Sequence, residues 1–84
     1  MSPAQRKGSQ TLRDRLADNL KQLRKLRGYT QRELGSRCGL TKTYIGHVEQ
    51  GRVNITLANL EVLASGLFCG EEELLSRKTP YARD

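Results

Sequence analysis

The chain has 84 residues and a formal charge of +6, unevenly spread: residues 1–52 carry twelve basic and four acidic side chains, while residues 53–84 carry three and five. One small domain with a single core is all that length can build, and its N-terminal two thirds would be drawn to a polyanion. A lone histidine, two cysteines without paired spacing and no apolar run near ~18 residues argue against an enzyme pocket, a metal site, a cofactor or a membrane span.

Residues 1–11 begin with MSPAQRKGSQ, which has no hydrophobic periodicity and contains Pro3 and Gly8. They are expected to form a flexible basic arm, or an inert tail. From Leu12 the apolar positions Leu12, Leu16, Leu20, Leu23 and Leu26 recur at steps of four and three, the spacing of a helix that Gly28 would end. The domain proper is expected to span residues 12–77. Thr30 with Glu33 fits a capping box opening a second helix, whose inward side chains are Leu34 and Cys38. Gly39 permits a sharp turn, Leu40 plugs the corner, and Thr41 can cap a third helix running to about Gln50, where Gly51 stops it.

After a short loop Thr56 caps a fourth helix with Leu57, Leu60, Leu63, Ala64 and Leu67 facing inward. EEELLS forms a fifth, its three acids placed where the helix dipole favours negative charge. Residues 78–84, which include Pro80, read as a C-terminal tail. Nothing alternates with period two, so the expected class is all-α with five short helices. The second and third helices are each too short to stand alone in water, which raises the question of what the tightly joined pair displays.

At about 100° per residue, Ile45 and Val48 share one face of the third helix, while Lys42, Thr43, Gly46, His47 and Gln50 fall within an arc about 140° wide on the other. Every side chain on that outer arc is small or hydrogen-bonding, and none is acidic. The composition suits the major groove, which admits a helix and presents acceptors, amino donors and the thymine methyl. Lys42 can donate to guanine, Thr43 can bond a base or set its methyl against thymine, His47 can donate or accept, and Gly46 allows close approach. An ordinary wet helix face is the alternative for any one of them. A glycine inside a helix costs about 1 kcal/mol relative to alanine; a close helix contact would also explain it.

The run LKQLRKLRGYTQRELGSRCGLTKTYIGHVEQGRVNITLANLEVLASGL resembles the phage-repressor-like (Cro/C1, Xre) helix-turn-helix family over roughly residues 16–75. The resemblance implies a compact five-helix, lambda-repressor-like DNA-binding domain with its helix-turn-helix at about 31–50. It implies base contacts from Thr41, Lys42, Thr43, Gly46 and His47, and DNA-backbone contacts from Gln31, Arg32, Tyr44, Gln50, Arg52 and Asn54. Arg24 and Glu49 match a pair that in some members forms an internal salt bridge; for Arg24 a phosphate contact is the other reading. Exposed apolar side chains near the C-terminus, Leu67, Phe68, Leu74 and Leu75, are candidates for a homodimer interface, with completion of the monomer core as the competing role and the favoured one for Leu67 and Leu74.

Three positions depart from the family's pattern. Gly35 stands where a small alanine is usual, Ile55 where many members have proline, and Phe68 where a glycine commonly follows the fourth helix. VNITLANLE is also similar to the corresponding stretch of controller proteins from restriction–modification systems. The expected function is a sequence-specific transcriptional regulator that binds double-stranded DNA as a homodimer in the cytoplasm, at the nucleoid, with no small-molecule ligand. The alternative is a protein-interaction module, antitoxin-like or bound to a partner regulator, on the same fold.

Overall fold

The computed structural model describes residues 11–77. The basic arm and the tail expected at the two ends therefore lie outside the described residues, except for Thr11. The described chain is helical, in the order α1 (Leu12–Arg27), α2 (Gln31–Cys38), α3 (Lys42–Glu49), α4 (Leu57–Gly66) and α5 (Glu71–Leu75).

Local chemistry accounts for most of the boundaries. Thr11 opens α1 with a reciprocal cap: its hydroxyl accepts from the Asp14 N–H at 3.1 Å, and its own N–H donates to Asp14 Oδ2 at 3.3 Å. Thr30 and Glu33 form the same arrangement at α2, at 3.0 and 2.8 Å. Thr41 and Thr56 accept from Tyr44 and Asn59 N–H groups at the heads of α3 and α4. Each such cap is worth about 1 kcal/mol. Gly39, at φ 71°, turns the chain between α2 and α3 in the left-handed region that glycine enters without steric cost.

One core joins the helices. Leu16, Leu20 and Leu23 of α1 meet Leu34 of α2, Ile45 and Val48 of α3, Leu60 and Leu63 of α4, and Leu67 and Leu74, all of them buried. Burying a leucine fully stabilises by about 1.5–3 kcal/mol. Three leucines expected to point inward do not: Leu12, Leu26 and Leu57 are 51%, 59% and 80% exposed. Leu12 is the first residue of α1, and Leu26 is turned about 100° away from Arg27, which continues the Leu16–Leu20–Leu23 stripe and bonds the Leu67 carbonyl at 2.7 Å. Leu57 is the first residue of α4, before that helix reaches its neighbours.

Gly35 is required by contact. A β-carbon there would sit 2.6 Å from the Leu40 carbonyl oxygen and 3.2 Å from the Thr41 carbonyl carbon, both in the backbone of the turn. Gly35→Ala should therefore destabilise the domain by about 1–2 kcal/mol in a denaturant melt, because overpacking at ~1–3 kcal/mol outweighs the ~1 kcal/mol gain in helix propensity. An unchanged or raised midpoint would show that the turn relaxes freely.

The fifth helix is anchored by a residue that periodicity passes over. Asn19 is buried, and its amide donates to the Leu74 and Ser76 carbonyls, each at 2.9 Å. Leu74 is 0% exposed, so it completes the monomer core and is not available to a second copy. Leu75 is half-buried and Phe68 is 70% exposed. Those two do not share a face: Arg15 bonds the Leu75 carbonyl and Arg27 the Phe68 carbonyl, and twelve residues of α1 span about 18 Å. Phe68 keeps the left-handed turn of the glycine it replaces, at φ 56°, a conformation that costs an L-residue about 1–2 kcal/mol.

Candidate nucleic-acid interface

Lys42 and Thr43 occupy the first turn of α3 with exposed side chains, and Gln50 is exposed at its end. Gly46 and His47, one turn on from Lys42 and Thr43, are half-buried. Thr41 is exposed, and its hydroxyl oxygen is occupied as the cap acceptor while its proton can still be donated. At Gly46 the nearest neighbour is the Gln31 amide, and a β-carbon would lie 3.7 Å from it, an ordinary contact. Helix packing thus does not demand this glycine.

What holds α3 in place is a buried charge network. The Arg24 guanidinium makes two bonds to Glu49, Nε to Oε2 at 2.6 Å and Nη2 to Oε1 at 3.1 Å, and its Nη1 donates to the Tyr29 carbonyl at 2.8 Å. Glu49 Oε1 also accepts from Gln31 Nε2 at 3.1 Å. One carboxylate therefore connects α1, the head of α2 and the last turn of α3. Both partners of the ion pair are buried, which directs Arg24 inward, away from a phosphate contact. The bond from Gln31 joins residues 18 apart and had no signal in the sequence.

The remaining candidates for backbone contact are spread around this frame. Arg32, Arg52 and Asn54 are exposed. Tyr44 is half-buried, with its hydroxyl oxygen accepting from Asn59 Nδ2 at 3.0 Å, an arrangement that leaves the phenolic proton to donate outward. Sequence reasoning missed Arg13. Its Nη1 donates to Asn54 Oδ1 at 2.9 Å, placing the first turn of α1 beside the loop that follows α3.

The acids near this surface already have partners. Asp14 and the exposed Glu33 accept from the Thr11 and Thr30 N–H groups and the buried Glu49 accepts from Arg24, so Glu33 is the one exposed acid on α2 and α3, against exposed Arg32, Arg37 and Lys42, with Arg52 in the loop beyond. The thiols offer no reactive alternative. Burial pushes the Cys38 thiol up, and burial, with the Glu73 carboxylate next, pushes that of Cys69 up to about 11. Both stay protonated near neutrality, where they are poor nucleophiles and poor metal ligands. Among the described residues no three His, Cys, Asp or Glu side chains are grouped to hold a metal ion, and no helix is long and apolar enough to cross a membrane.

Residues 20–74 match the family model described as helix-turn-helix. A hypothetical transcription factor of Neisseria meningitidis serogroup B is 41% identical over 73 residues, covering 87% of this chain and 69% of that protein. Among solved structures, the hypothetical transcription factor NHTF from Neisseria superposes with a TM-score of 0.78 at 39% identity, covering 90% of this chain and 87% of the other. The restriction-modification controller protein C.AhdI from Aeromonas hydrophila superposes with a TM-score of 0.72 at 34% identity, covering 74% and 94%.

Proposed function

The chain belongs to the Cro/C1-type helix-turn-helix family of DNA-binding transcriptional regulators, and from that premise we propose that it reads an operator in the major groove with the outer arc of α3. The observation that carries this reading is the acid-free arc itself, held outward by the Arg24–Glu49–Gln31 network. Lys42 and Thr43, exposed at the leading turn, are the primary base readers, with Thr41, Gly46 and His47 beside them. Gln31, Arg32, Tyr44, Gln50, Arg52 and Asn54 contact the sugar–phosphate backbone and set register. The protein acts in the cytoplasm, at the nucleoid.

One recognition helix reads only a few base pairs, so useful specificity needs two half-sites about 34 Å apart, presented by a twofold dimer. Leu75 supports a location for the contact. It borders an apolar groove of about 270 Å³ that is also lined by Leu12, Leu16, Ile55, Leu57 and Leu60, and the exposed Leu57 is a projecting side chain of the kind such a groove takes. Phe68 lies toward the other end of α1 and takes no part in this face. The relation to restriction–modification controllers supports an autoregulatory role of that kind.

Selection of bound duplexes from a random pool, combined with sedimentation of the complex, tests class, half-site and symmetry together. A twofold-related consensus bound by two copies is the expected result. Lys42→Ala should then relax preference at one base position per half-site by about 1–3 kcal/mol, measured by competition against single-base-pair variants of the selected site. A uniform loss across all sequences would move Lys42 from base reading to phosphate contact.

A further inference from the structure

The first turn of α1 touches the loop after α3 at two points. Arg13 donates to Asn54 across 41 residues of sequence, and a β-carbon on Gly51 would lie 3.4 Å from Asp14 Oδ1. Asp14 is the one acid there, and one of its oxygens accepts from the Thr11 N–H. Arg13, Arg52 and Asn54 are all exposed.

The bond between Arg13 and Asn54 uses the only acceptor of the asparagine side chain and one of five guanidinium donors. Among the described residues, the other donors of both side chains and the guanidinium of Arg52 meet no acceptor. The loop edge is thus a cluster of donors with two positive charges. A single exposed bond between such side chains adds little to stability. Its effect is to hold a long, otherwise mobile arginine in one place, with its planar fork turned to solvent and suited to two oxygens of a phosphate.

We propose that Arg13, positioned by Asn54, is a DNA-backbone contact, so that α1 extends the footprint beyond the helix-turn-helix and onto the strand that Arg52 and Asn54 meet. This inference rests on the reading that α3 enters the major groove. Arg13 also borders the apolar groove, so a role at the contact between copies is the rival assignment.

The test compares the full chain with Arg13→Ala, Arg13→Lys and Asn54→Ala. Affinity is measured for the selected duplex and for a scrambled one between 50 and 200 mM salt, together with oligomeric state and thermal midpoint. Arg13→Ala should weaken both duplexes by the same factor and flatten the salt slope by about 1 per protomer, with dimer and midpoint unchanged. Arg13→Lys should restore most of the slope, because the charge remains. Asn54→Ala should weaken wild-type binding but have less effect once Arg13 is alanine. An unchanged slope, a loss confined to one duplex, or a loss that tracks dissociation of the dimer would each overturn the assignment while leaving the reading of α3 intact. Failure of the wild-type chain to bind any duplex would sink both.

Discussion

Glu49→Ala is expected to lower the unfolding free energy by about 3–5 kcal/mol, the cost of breaking a buried ion pair by removing one partner. Small domains hold only about 5–15 kcal/mol in total, so the variant should be partly unfolded near physiological temperature. The loss comes chiefly from the charge left behind. Without the carboxylate, Arg24 remains a buried guanidinium whose one remaining acceptor among the described residues is the Tyr29 carbonyl, and the Gln31 amide loses its anchor as well. A paired variant separates these terms. Arg24→Met with Glu49→Leu removes both charges, and replacing a buried pair by apolar groups of similar volume is often neutral or better. Its stability should return to within about 1 kcal/mol of wild type in a urea melt. DNA binding should stay impaired, because Gln31 is then no longer held against α3. A single variant losing under 1 kcal/mol would mean that water reaches the site and that the network does not set the helix-turn-helix.

Between 50 and 200 mM salt, affinity for the operator should fall about 10³–10⁵-fold, as expected when a dimer neutralises roughly 6–10 phosphates and the counterions they held are released. The physical source is the excess of basic side chains in residues 1–52, combined with the burial of Glu49 against Arg24 and the engagement of Asp14 and Glu33 in helix caps. Hydrogen-bonding groups such as Gln31 and Asn54 position the backbone without adding to the slope, because they carry no charge to displace a counterion. A titration series in monovalent salt gives the slope directly. A loss of less than about tenfold over that range would show that phosphate contacts are few, and the regulator reading would lose its electrostatic footing.

How much of this could be read before folding depends on how far apart the interacting groups are. The threonine caps at 30, 41 and 56 and the stops at Gly28, Gly39 and Gly51 involve groups within about five residues, so sequence alone determined where the helices begin and end. The three–four spacing of Leu16, Leu20 and Leu23, and of Leu60, Leu63 and Leu67, likewise determined which faces meet. Periodicity reports the phase of a helix but not where along its length the core stops, which is why Leu12 and Leu57, each the first residue of its helix, fit the apolar pattern and yet stand in solvent. Only the tertiary structure decided that Leu74 belongs to the core, that Gly35 is demanded by the turn backbone, and that Asn19, Gln31 and Arg13 have partners 55, 18 and 41 residues away. Short-range hydrogen bonds leave a pattern in the order of residues, whereas contacts closed by packing exist only once separate helices have been brought together.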